Sequence, residues 1–206
     1  RTFQDFRRMF EALEKSIDAV IVSTPDHTHA VAGMAAIQRG KHLYCEKPLA
    51  HSIGEVRALR KAARKHRVVT QLGNQGHSFD TIRDFCEWIR AGAIGRVHTI
   101  HAVPRFVNCA VDQLPRLPEK HAVPAPIDWD LWLGPAPFRP YQPFYLPGRW
   151  RAWAPFGDGT IGDWVCHVVD PSFWALDLGA PQTVLAQARD YDPEKQAGPF
   201  PAGRVS

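Results

Sequence analysis

The feature that most constrains the fold of this chain is a unit of strand, polar turn and helix that occurs three times in its first half. The three strands are predicted in IDAVIVS (17–23), KHLYCEKP (41–48) and RVVTQLGNQGH (67–77). Helical segments follow each of them, in HTHAVAGMAAIQRG, SIGEVRALRKAARKH and FDTIRDFCEWIRAG. Such alternation predicts an α/β fold, with a doubly wound parallel sheet and a helix after each strand.

Local signals support these boundaries. The apolar, β-branched run at 17–23 is typical of a strand that is buried on both faces of a parallel sheet. Ser52 with Glu55 three positions later predicts a capping box at the start of the second helix. Gly40 and Gly92 are expected to end the first and third helices. The leading segment FQDFRRMFEALEK predicts one more amphipathic helix before the first strand.

The character of the sequence changes after residue 103. A fourth strand is predicted in GRVHTIHAV, at about 96–103, and most of the eighteen prolines then fall between 104 and 155. This change predicts a domain boundary, with an irregular proline-rich excursion that leads into a second domain. GTIGDWVCHVVDPSFWALDLG is interpreted there as a helix, and QTVLAQARDY as a strand. We therefore divide the chain into an α/β domain at 1–103 and an α+β domain at 104–206.

Charge and cysteine use exclude several classes of protein. The net charge of the 206 residues is only +4, and the basic run RKAARKHR (60–67) is interpreted as the solvated end of a helix, so no nucleic-acid partner is expected. The four cysteines show no CxxC spacing, which argues against a disulfide framework and a zinc ribbon. No apolar stretch is long enough to cross a bilayer, so no membrane partner is expected.

The ends of the sequence suggest a piece of a longer protein. The chain begins with Arg1, not methionine, and stops at GPFPAGRVS without a terminal cap. We therefore expect a fragment. A cytoplasmic location is favoured, while export to the periplasm stays open because a targeting segment would precede Arg1.

Polar residues follow all three predicted strands, in STPDHTH, EKP and GNQGH. The carboxyl ends of parallel strands share one edge of the sheet, and ligands of open α/β sheets bind outside that edge. A lysine in the middle of the set, Lys47, favours a binding site over three ordinary turns. Asp26 or Thr24 is expected to cap the first helix, whose free N–H groups would face an anion or cofactor.

Asp163 and His167 form a second candidate group, because residues four apart lie on the same face of a helix. A carboxylate in that position can fix the tautomer of an imidazole and raise its basicity, as a general base requires. Taken alone, such a pair is more often a surface hydrogen bond. The glycine-rich approach FGDGTIG favours the functional interpretation, because glycines allow a backbone to approach a ligand closely. No metal site is expected, since neither His27 with His29 nor Asp163 with His167 has a third ligand at familiar spacing.

Taken together, these motifs resemble the Gfo/Idh/MocA family of NAD(P)-dependent oxidoreductases, which act mainly on sugars and polyols. The resemblance runs through DAVIVSTPDHTHAVAGMAAIQRGKHLYCEKPLAHS, GNQGHS, WLGPAPFRPYQPFYLPGRW and GDGTIGDWVCHVVDPSFWAL, and WLGPAPFRPY is similar to one bacterial subgroup. It implies that 1–103 is part of a Rossmann domain that binds NAD or NADP. It also implies that 104–206 is part of a substrate-binding domain. The glycine-rich G-x-G-x-x-G turn, which holds the pyrophosphate in the family, does not occur in this sequence. The residue after the family's second strand, from which cofactor preference is read, is also missing, so NAD and NADP cannot be told apart.

The resemblance also implies roles for individual residues. Lys47, Asp163 and His167 correspond to the catalytic residues of the family, and all three would contact the substrate. His167 would exchange the hydroxyl proton, Asp163 would orient it, and Lys47 would hydrogen-bond the reacting oxygen and the cofactor ribose. Arg149 is a further candidate for binding the substrate, and so are Trp150 and Trp153, for which packing is at least as plausible. The candidates for the nicotinamide end of the cofactor site are Ser23, Thr24, Pro25, His29, Glu46, Lys47 and Asn74.

Several functions stay open at this point. The leading hypothesis is hydride transfer between a nicotinamide cofactor and a carbinol carbon of a sugar or polyol, by a protein that forms homo-oligomers when intact. A related alternative is an NAD-dependent glycosidase that oxidises its sugar transiently, eliminates a substituent and reduces the sugar again. A non-catalytic sugar-binding protein of the same fold would lack hydride transfer, and a metal-dependent hydrolase is the weakest alternative. Lys47 and His167 are expected to face one cleft between the domains.

Overall fold

A computed structural model describes residues 1–104, 110–188 and 203–205. All three predicted units are present. The strands form a parallel sheet in the order β1-β2-β3, with bounds Ala19–Val22, His42–Glu46 and Thr70–Gly73. The helices of the first half are α1 Phe6–Leu13, α2 Asp26–Gln38, α3 Ile53–His66 and α4 Asp80–Arg90. The predicted α/β architecture, a Rossmann-like parallel sheet with helices, is therefore confirmed.

Helix ends in this half largely follow the sequence signals. The Ser52 hydroxyl accepts a hydrogen bond from the backbone N–H of Glu55 at 3.2 Å, as a capping residue does. It also donates to the Glu55 carboxylate at 3.1 Å, so the two side chains bond each other. Gly40 and Gly92 follow α2 and α4 with φ of +69° and +81°. Left-handed φ values of this kind end helices and favour glycine.

One face of the sheet packs against α2 and α3. Val22 of β1 and Cys45 of β2 are buried in an apolar cluster with residues of both helices: Ala30, Ile37 and Leu59. Ile21 lies on the opposite face and is 73% exposed. The expectation that β1 is buried on both faces was therefore wrong. Side chains alternate along a strand, and within the described residues only the α2 and α3 face of β1 is closely covered.

The strand predicted at 96–103 does not form in the described part of the chain. Ile100 and Val103 are 42% and 79% exposed. A strand requires a neighbour to satisfy its backbone groups, and the described parallel sheet ends at β3. The apolar alternation of this segment was therefore not enough to make it a strand.

The second half is organised around aromatic side chains. Two helices lie here, α5 Trp129–Leu133 and α6 Gly159–Leu176, and short 3₁₀ turns connect them through the proline-rich segment. The buried cluster of this half consists of Trp129, Leu133, Tyr141, Phe144, Tyr145, Trp150, Trp153 and Phe156 with two alanines. Large rings bury much apolar area per residue, which compensates for the scarcity of regular structure.

A short antiparallel pair lies at the end of the described chain. β4 Ala186–Ala188 pairs with β5 Gly203–Val205. The strand predicted from QTVLAQARDY is present as β4, and the end of that prediction lies outside the described residues. The domain boundary between 103 and 104 stays a prediction.

His27 connects the two halves at the start of α2. Its ring is buried between the rings of Trp132 and Phe156, with centroid distances of 5.1 and 5.3 Å. The two ring nitrogens lie 3.1 Å from the Phe156 carbonyl oxygen and 3.0 Å from that of Trp132. Burial lowers the pKa of this imidazole.

A second link between the two halves joins α4 and α6. Arg90 of α4 donates a hydrogen bond to the Trp174 carbonyl oxygen of α6 at 2.6 Å.

The cysteines of the described chain are unpaired. Cys45 and Cys86 are buried free thiols, and Cys166 is a half-buried one. Cys109 lies outside the described residues. Within the same ranges, no helix combines the length and the apolar character that crossing a bilayer requires.

Candidate functional site

A cavity of about 490 Å³ lies between the carboxyl edge of the sheet and α6. The first half contributes Ser23, Thr24, Asp26, His29, Glu46, Lys47 and Gln75 to its lining, and the second half contributes Arg151, Asp163, Trp164 and His167. Lys47, Asp163 and His167 thus face one cleft, as the sequence predicted, although their catalytic roles stay predictions.

Lys47 stands where β2 ends and the chain turns through a cis Lys47–Pro48 peptide bond. Its ammonium group donates hydrogen bonds to the Asp163 carboxylate and, at 2.8 Å, to the Asp163 backbone carbonyl. The side chains of Lys47 and Asp163 are only 14% and 10% exposed. The turn after β2 carries a charged residue where a neutral turn residue would otherwise serve. Lys47 is accommodated there because it pairs with Asp163, a nearly buried carboxylate on α6.

Glu46 is held at the cavity by its neighbour on β3. Gly73 pairs with Glu46 in the sheet, and a Cβ atom at Gly73 would lie 2.8 Å from the Glu46 carboxyl carbon. The glutamate side chain therefore lies directly over the glycine, in space that any larger residue would occupy. This close approach keeps a carboxylate beside Lys47 without a direct ion pair between the two.

His29 lines the cavity, but both of its ring nitrogens lie beside backbone carbonyl oxygens. Its ring is 1% exposed. The two ring nitrogens lie 2.7 Å from the carbonyl oxygens of Thr24 and Pro48. The imidazole therefore braces the turn after β1 against the turn after β2, which makes it a support for the cavity wall in addition to a lining residue.

Two other predicted cofactor residues lie next to the cavity, outside its lining. Pro25 precedes α2, where it occupies the N-cap position. Asn74 donates from its side-chain amide to the Cys166 carbonyl at 3.3 Å, and its buried amide oxygen has no hydrogen-bond partner among the described residues. Asn74 thus ties the end of β3 to α6, while the next residue, Gln75, lines the cavity in its place.

The arginine at the cavity is Arg151, and the expected Arg149 is an exposed residue outside the lining. The Nε atom of Arg151 lies 3.6 Å from the Asp163 carboxylate. Trp150 and Trp153 are buried in the aromatic cluster, so packing accounts for both tryptophans. Arg151 was missed because two arginines flank Trp150 and no local pattern distinguishes which of them points to the cavity.

His167 has a lowered pKa, whereas the sequence suggested that Asp163 would raise its basicity. Burial and the charge of Lys47 lower the pKa, and the charge of Asp163 opposes them without prevailing. The spacing of four residues therefore predicted correctly that Asp163 raises the pKa of His167. It did not predict that burial and Lys47 together lower this pKa by more. A lowered pKa keeps the imidazole neutral near pH 7 and ready to accept a proton.

Asp26 is a buried carboxyl group that the sequence assigned to a different task. Asp26 or Thr24 was expected to cap α2, but Pro25 occupies the N-cap position and no side-chain bond caps that helix. The Asp26 carboxylate instead accepts from the backbone N–H of Asp158 at 3.2 Å. The group is 4% exposed, and burial, followed by the charge of Asp158, raises its pKa to about 7.

Two glycines in the approach to α6, Gly157 and Gly162, lie against other parts of the protein. A Cβ atom at Gly157 would lie 2.7 Å from the Cα atom of Arg151, and one at Gly162 would lie 2.1 Å from the Cβ atom of Asp158. The backbone is therefore packed tightly beside Arg151. The close approach of the FGDGTIG backbone to a ligand stays a prediction.

The donor set of the cavity suits the reactive end of a nicotinamide cofactor. Hydroxyl groups of Ser23 and Thr24, the Gln75 amide and the Lys47 ammonium line one space, and these groups can bond a carboxamide and ribose hydroxyls. The sequence contains no G-x-G-x-x-G turn, so no residue is assigned to a pyrophosphate. Within the described ranges, no group of three or more histidine, cysteine or acidic residues is arranged to hold a metal ion.

Two domain models of one oxidoreductase family match this chain. The model described as "Oxidoreductase family, NAD-binding Rossmann fold" matches residues 1–74. The model described as "Oxidoreductase family, C-terminal alpha/beta domain" matches residues 111–198. Together they cover well over half of the chain and both of its halves.

Curated relatives are similar to the chain over parts of their length. Inositol 2-dehydrogenase 1 of Saccharopolyspora erythraea is 31% identical over 121 residues, which are 58% of this chain and 36% of the relative. A 2,7-anhydro-N-acetylneuraminate hydratase of Mediterraneibacter gnavus is 30% identical over 88 residues, 43% of this chain and 24% of the relative. The chain thus spans roughly a quarter to a third of the length of these relatives.

A solved structure supports the fold over nearly the whole chain. An inositol dehydrogenase homologue of Azotobacter vinelandii, complexed with NADH and myo-inositol, matches with a TM-score of 0.58 and 21% identity. The match covers 95% of this chain and 43% of that structure. At this identity the likeness establishes the fold alone.

Proposed function

Because this chain belongs to the Gfo/Idh/MocA family of oxidoreductases, we propose that its full-length protein transfers a hydride between NAD or NADP and a hydroxyl-bearing carbon of a sugar or polyol. The observation that carries the proposal is the cavity in which Lys47, Asp163 and His167 meet. Two of these residues lie 116 positions apart and still share a buried hydrogen bond.

Each of the three residues has a task that its surroundings support. His167 accepts the proton of the substrate hydroxyl on an imidazole nitrogen as the hydride leaves the carbon, and returns a proton in the reverse direction. Lys47 donates a hydrogen bond to the reacting oxygen, where negative charge develops. Asp163 holds the ammonium group of Lys47 in place by accepting hydrogen bonds on its carboxylate and its backbone carbonyl. When NAD or NADP is bound, the nicotinamide supplies the hydride acceptor or donor.

We assign the nicotinamide end of the cofactor to the sheet edge. Ser23, Thr24, Glu46 and Lys47 would bond the carboxamide and ribose there, and Gln75 joins them because it lines the same space. Pro25, His29 and Asn74 would act by shaping the three turns, since their polar groups or backbone face other parts of the protein.

The division at 103/104 is part of this proposal, with the first domain binding the cofactor and the second binding the substrate. The two family-model matches, at 1–74 and 111–198, lie on opposite sides of that boundary and support it. The expected homo-oligomer and cytoplasmic location stay predictions.

A redox-assisted reaction without net oxidation is the second candidate. The similarity to a hydratase, over 43% of this chain, favours it, because hydration of a sugar is not a net redox change. The same three residues would serve it, since a transient oxidation needs the same proton transfer at the same hydroxyl. Substrate turnover without accumulation of NADH would identify this chemistry.

The test uses the full-length protein, a panel of sugars and polyols that includes myo-inositol, and absorbance of NADH or NADPH. We expect Lys47→Met to reduce turnover by about two to four orders of magnitude, the usual contribution of a positioned acid or base. Lys61→Met, at an exposed position on α3, is the matched control and should retain normal turnover. Near-normal turnover of the Lys47 variant would disprove the catalytic assignment, and sugar binding without any hydride transfer would favour a binding protein.

A further inference from the structure

Arg151 is the member of the Lys47–Asp163–Arg151 ion-pair group that is most open to an incoming molecule. Its side chain is 39% exposed, compared with 14% for Lys47 and 10% for Asp163. Arg151 also lines the cavity beside His167, so it borders the space that a substrate would fill.

The guanidinium group is held in a fixed orientation. Its Cζ atom lies 4.2 Å from the centroid of the Trp150 ring, and Nη1 donates to the Gly148 carbonyl at 3.5 Å. The backbone of Arg151 is packed against Gly157, where a Cβ atom would lie 2.7 Å from its Cα atom. A side chain fixed at both ends loses little conformational freedom when it binds a ligand.

Most of the donor capacity of this group is unused. The guanidinium has five N–H donors in a planar fork, and among the described residues no hydrogen bond engages Nη2. Its Nε atom faces Asp163 at 3.6 Å, which is an ion pair without a hydrogen bond. Lys47 cannot do the same task, because two of its three donors are already bonded to Asp163.

We propose that Arg151 determines substrate specificity by donating parallel hydrogen bonds to two neighbouring oxygen atoms of the substrate, either adjacent hydroxyl groups or a carboxylate. The inference rests on the proposed function of the cavity. A planar fork binds paired oxygens with two N–H donors at once, which an ammonium group cannot reproduce.

A purely structural role for Arg151, as a counter-charge to Asp163, predicts different behaviour. Arg151→Lys keeps the positive charge and an alkyl stem over Trp150 but loses the fork. If the charge alone mattered, this variant would behave like the unchanged protein. If the fork binds substrate, the variant weakens binding and leaves the chemical step nearly intact.

The experiment measures binding and turnover of the full-length protein with three probes: myo-inositol, D-glucose and D-glucuronate. Calorimetry with NAD present gives the dissociation constant of each, and initial rates give KM and kcat separately. For the best-bound probe, we expect Arg151→Lys to raise Kd and KM about 10- to 100-fold and to change kcat less than about threefold. Arg149→Lys, at the exposed neighbouring arginine, should change none of these values.

The probes separate the two oxygen sources. A selective loss of D-glucuronate affinity identifies a carboxylate, and an equal loss with the neutral sugars identifies adjacent hydroxyls. Unchanged affinities in Arg151→Lys, a fall in kcat alone, or no binding of any probe to the unchanged protein would overturn the proposal. A protein that binds a probe but never transfers a hydride would disprove the proposed function. The binding test of Arg151 would still be valid for that protein.

Discussion

The ammonium group of Lys47 donates a hydrogen bond to the carboxylate of Asp163, although the two residues are 116 positions apart in the chain. One residue ends a strand of the parallel sheet and the other lies on α6. The bond therefore reports that the two halves meet at the cavity, and its strength can be measured.

The first prediction concerns the energy of this pair. Lys47→Met removes a cation from a nearly buried carboxylate, and Asp163→Asn leaves a nearly buried ammonium group without its ion-pair partner. We expect each variant to be destabilised, and the double variant to lose less than the sum, with a coupling of about 1–3 kcal/mol. Urea unfolding of the four proteins measures it.

The exposed ion pair of Arg8 and Glu11, with side chains 71% and 61% exposed, is the control for this cycle. Its two side chains are fully solvated, so Arg8→Met and Glu11→Gln should show no measurable coupling. Additive losses at Lys47 and Asp163 would contradict the prediction and would mean that the buried pair contributes nothing beyond its separate contacts.

The second prediction concerns the pKa of His167. Burial and Lys47 lower this pKa below its ordinary value of 6.5, while Asp163 raises it. Asp163→Asn removes the largest of the charges that raise the pKa, so the imidazole should lose its proton at a still lower pH. NMR titration of the His167 ring measures both values, and Asp84→Asn at an exposed position of α4 is the control. A pKa that rises in Asp163→Asn would refute this account of the site.

The third prediction concerns stability and pH. The folded-state pKa of Asp26 is about 7, against an ordinary value of 3.8. The folded protein thus binds the proton more tightly, and the contribution of Asp26 to stability is greatest below pH 3.8 and declines as the pH rises to 7. Asp26→Asn removes this decline, because an amide stays neutral and its oxygen can still accept from Asp158.

We therefore expect Asp26→Asn to be more stable than the unchanged protein at pH 8, by about 2–4 kcal/mol, and to differ little from it at pH 4. Urea unfolding at the two pH values is the measurement. Asp84→Asn should produce no such pH-dependent gain. Equal stability differences at pH 4 and pH 8 would show that Asp26 is ionised in the folded protein.

The fourth prediction concerns Gly157. Its replacement by alanine would place a Cβ atom 2.7 Å from the Arg151 Cα and 2.9 Å from the Arg151 carbonyl oxygen. Backbone atoms cannot rotate away, so we expect a loss of about 1–3 kcal/mol in the free energy of unfolding. Gly179→Ala, with no atom within 4 Å of the added Cβ, should cost much less. Equal thermal midpoints for the two variants would contradict the close packing at Arg151.

The parts of this molecule that the sequence predicted well are those set by local rules. β-branched runs, a serine cap and glycines at helix ends located β1, β2, α3 and α4, because each signal acts within a few residues. The polar residues after the strands located the cavity edge for a related reason: parallel strands bring their carboxyl ends together.

The parts that failed depend on distant packing. Whether residues 96–103 form a strand depended on whether another strand lies beside them. Whether Ile21 is buried depended on which face of the sheet the helices cover. Arg151 lines the cavity and Arg149 does not, and Asp26 meets Asp158 where α2 and α6 begin. None of these contacts leaves a periodic trace in the sequence.

The position of His27 has a consequence for the cooperativity of unfolding. The aromatic cluster and the sheet cluster are separate cores, yet this ring sits on α2 with both nitrogens beside carbonyl oxygens of the aromatic half. Unfolding of either core would separate the buried imidazole from its carbonyl partners. It would also expose the other core to solvent around His27. Melting should therefore proceed as one transition, and the two walls of the cavity should persist or disappear together.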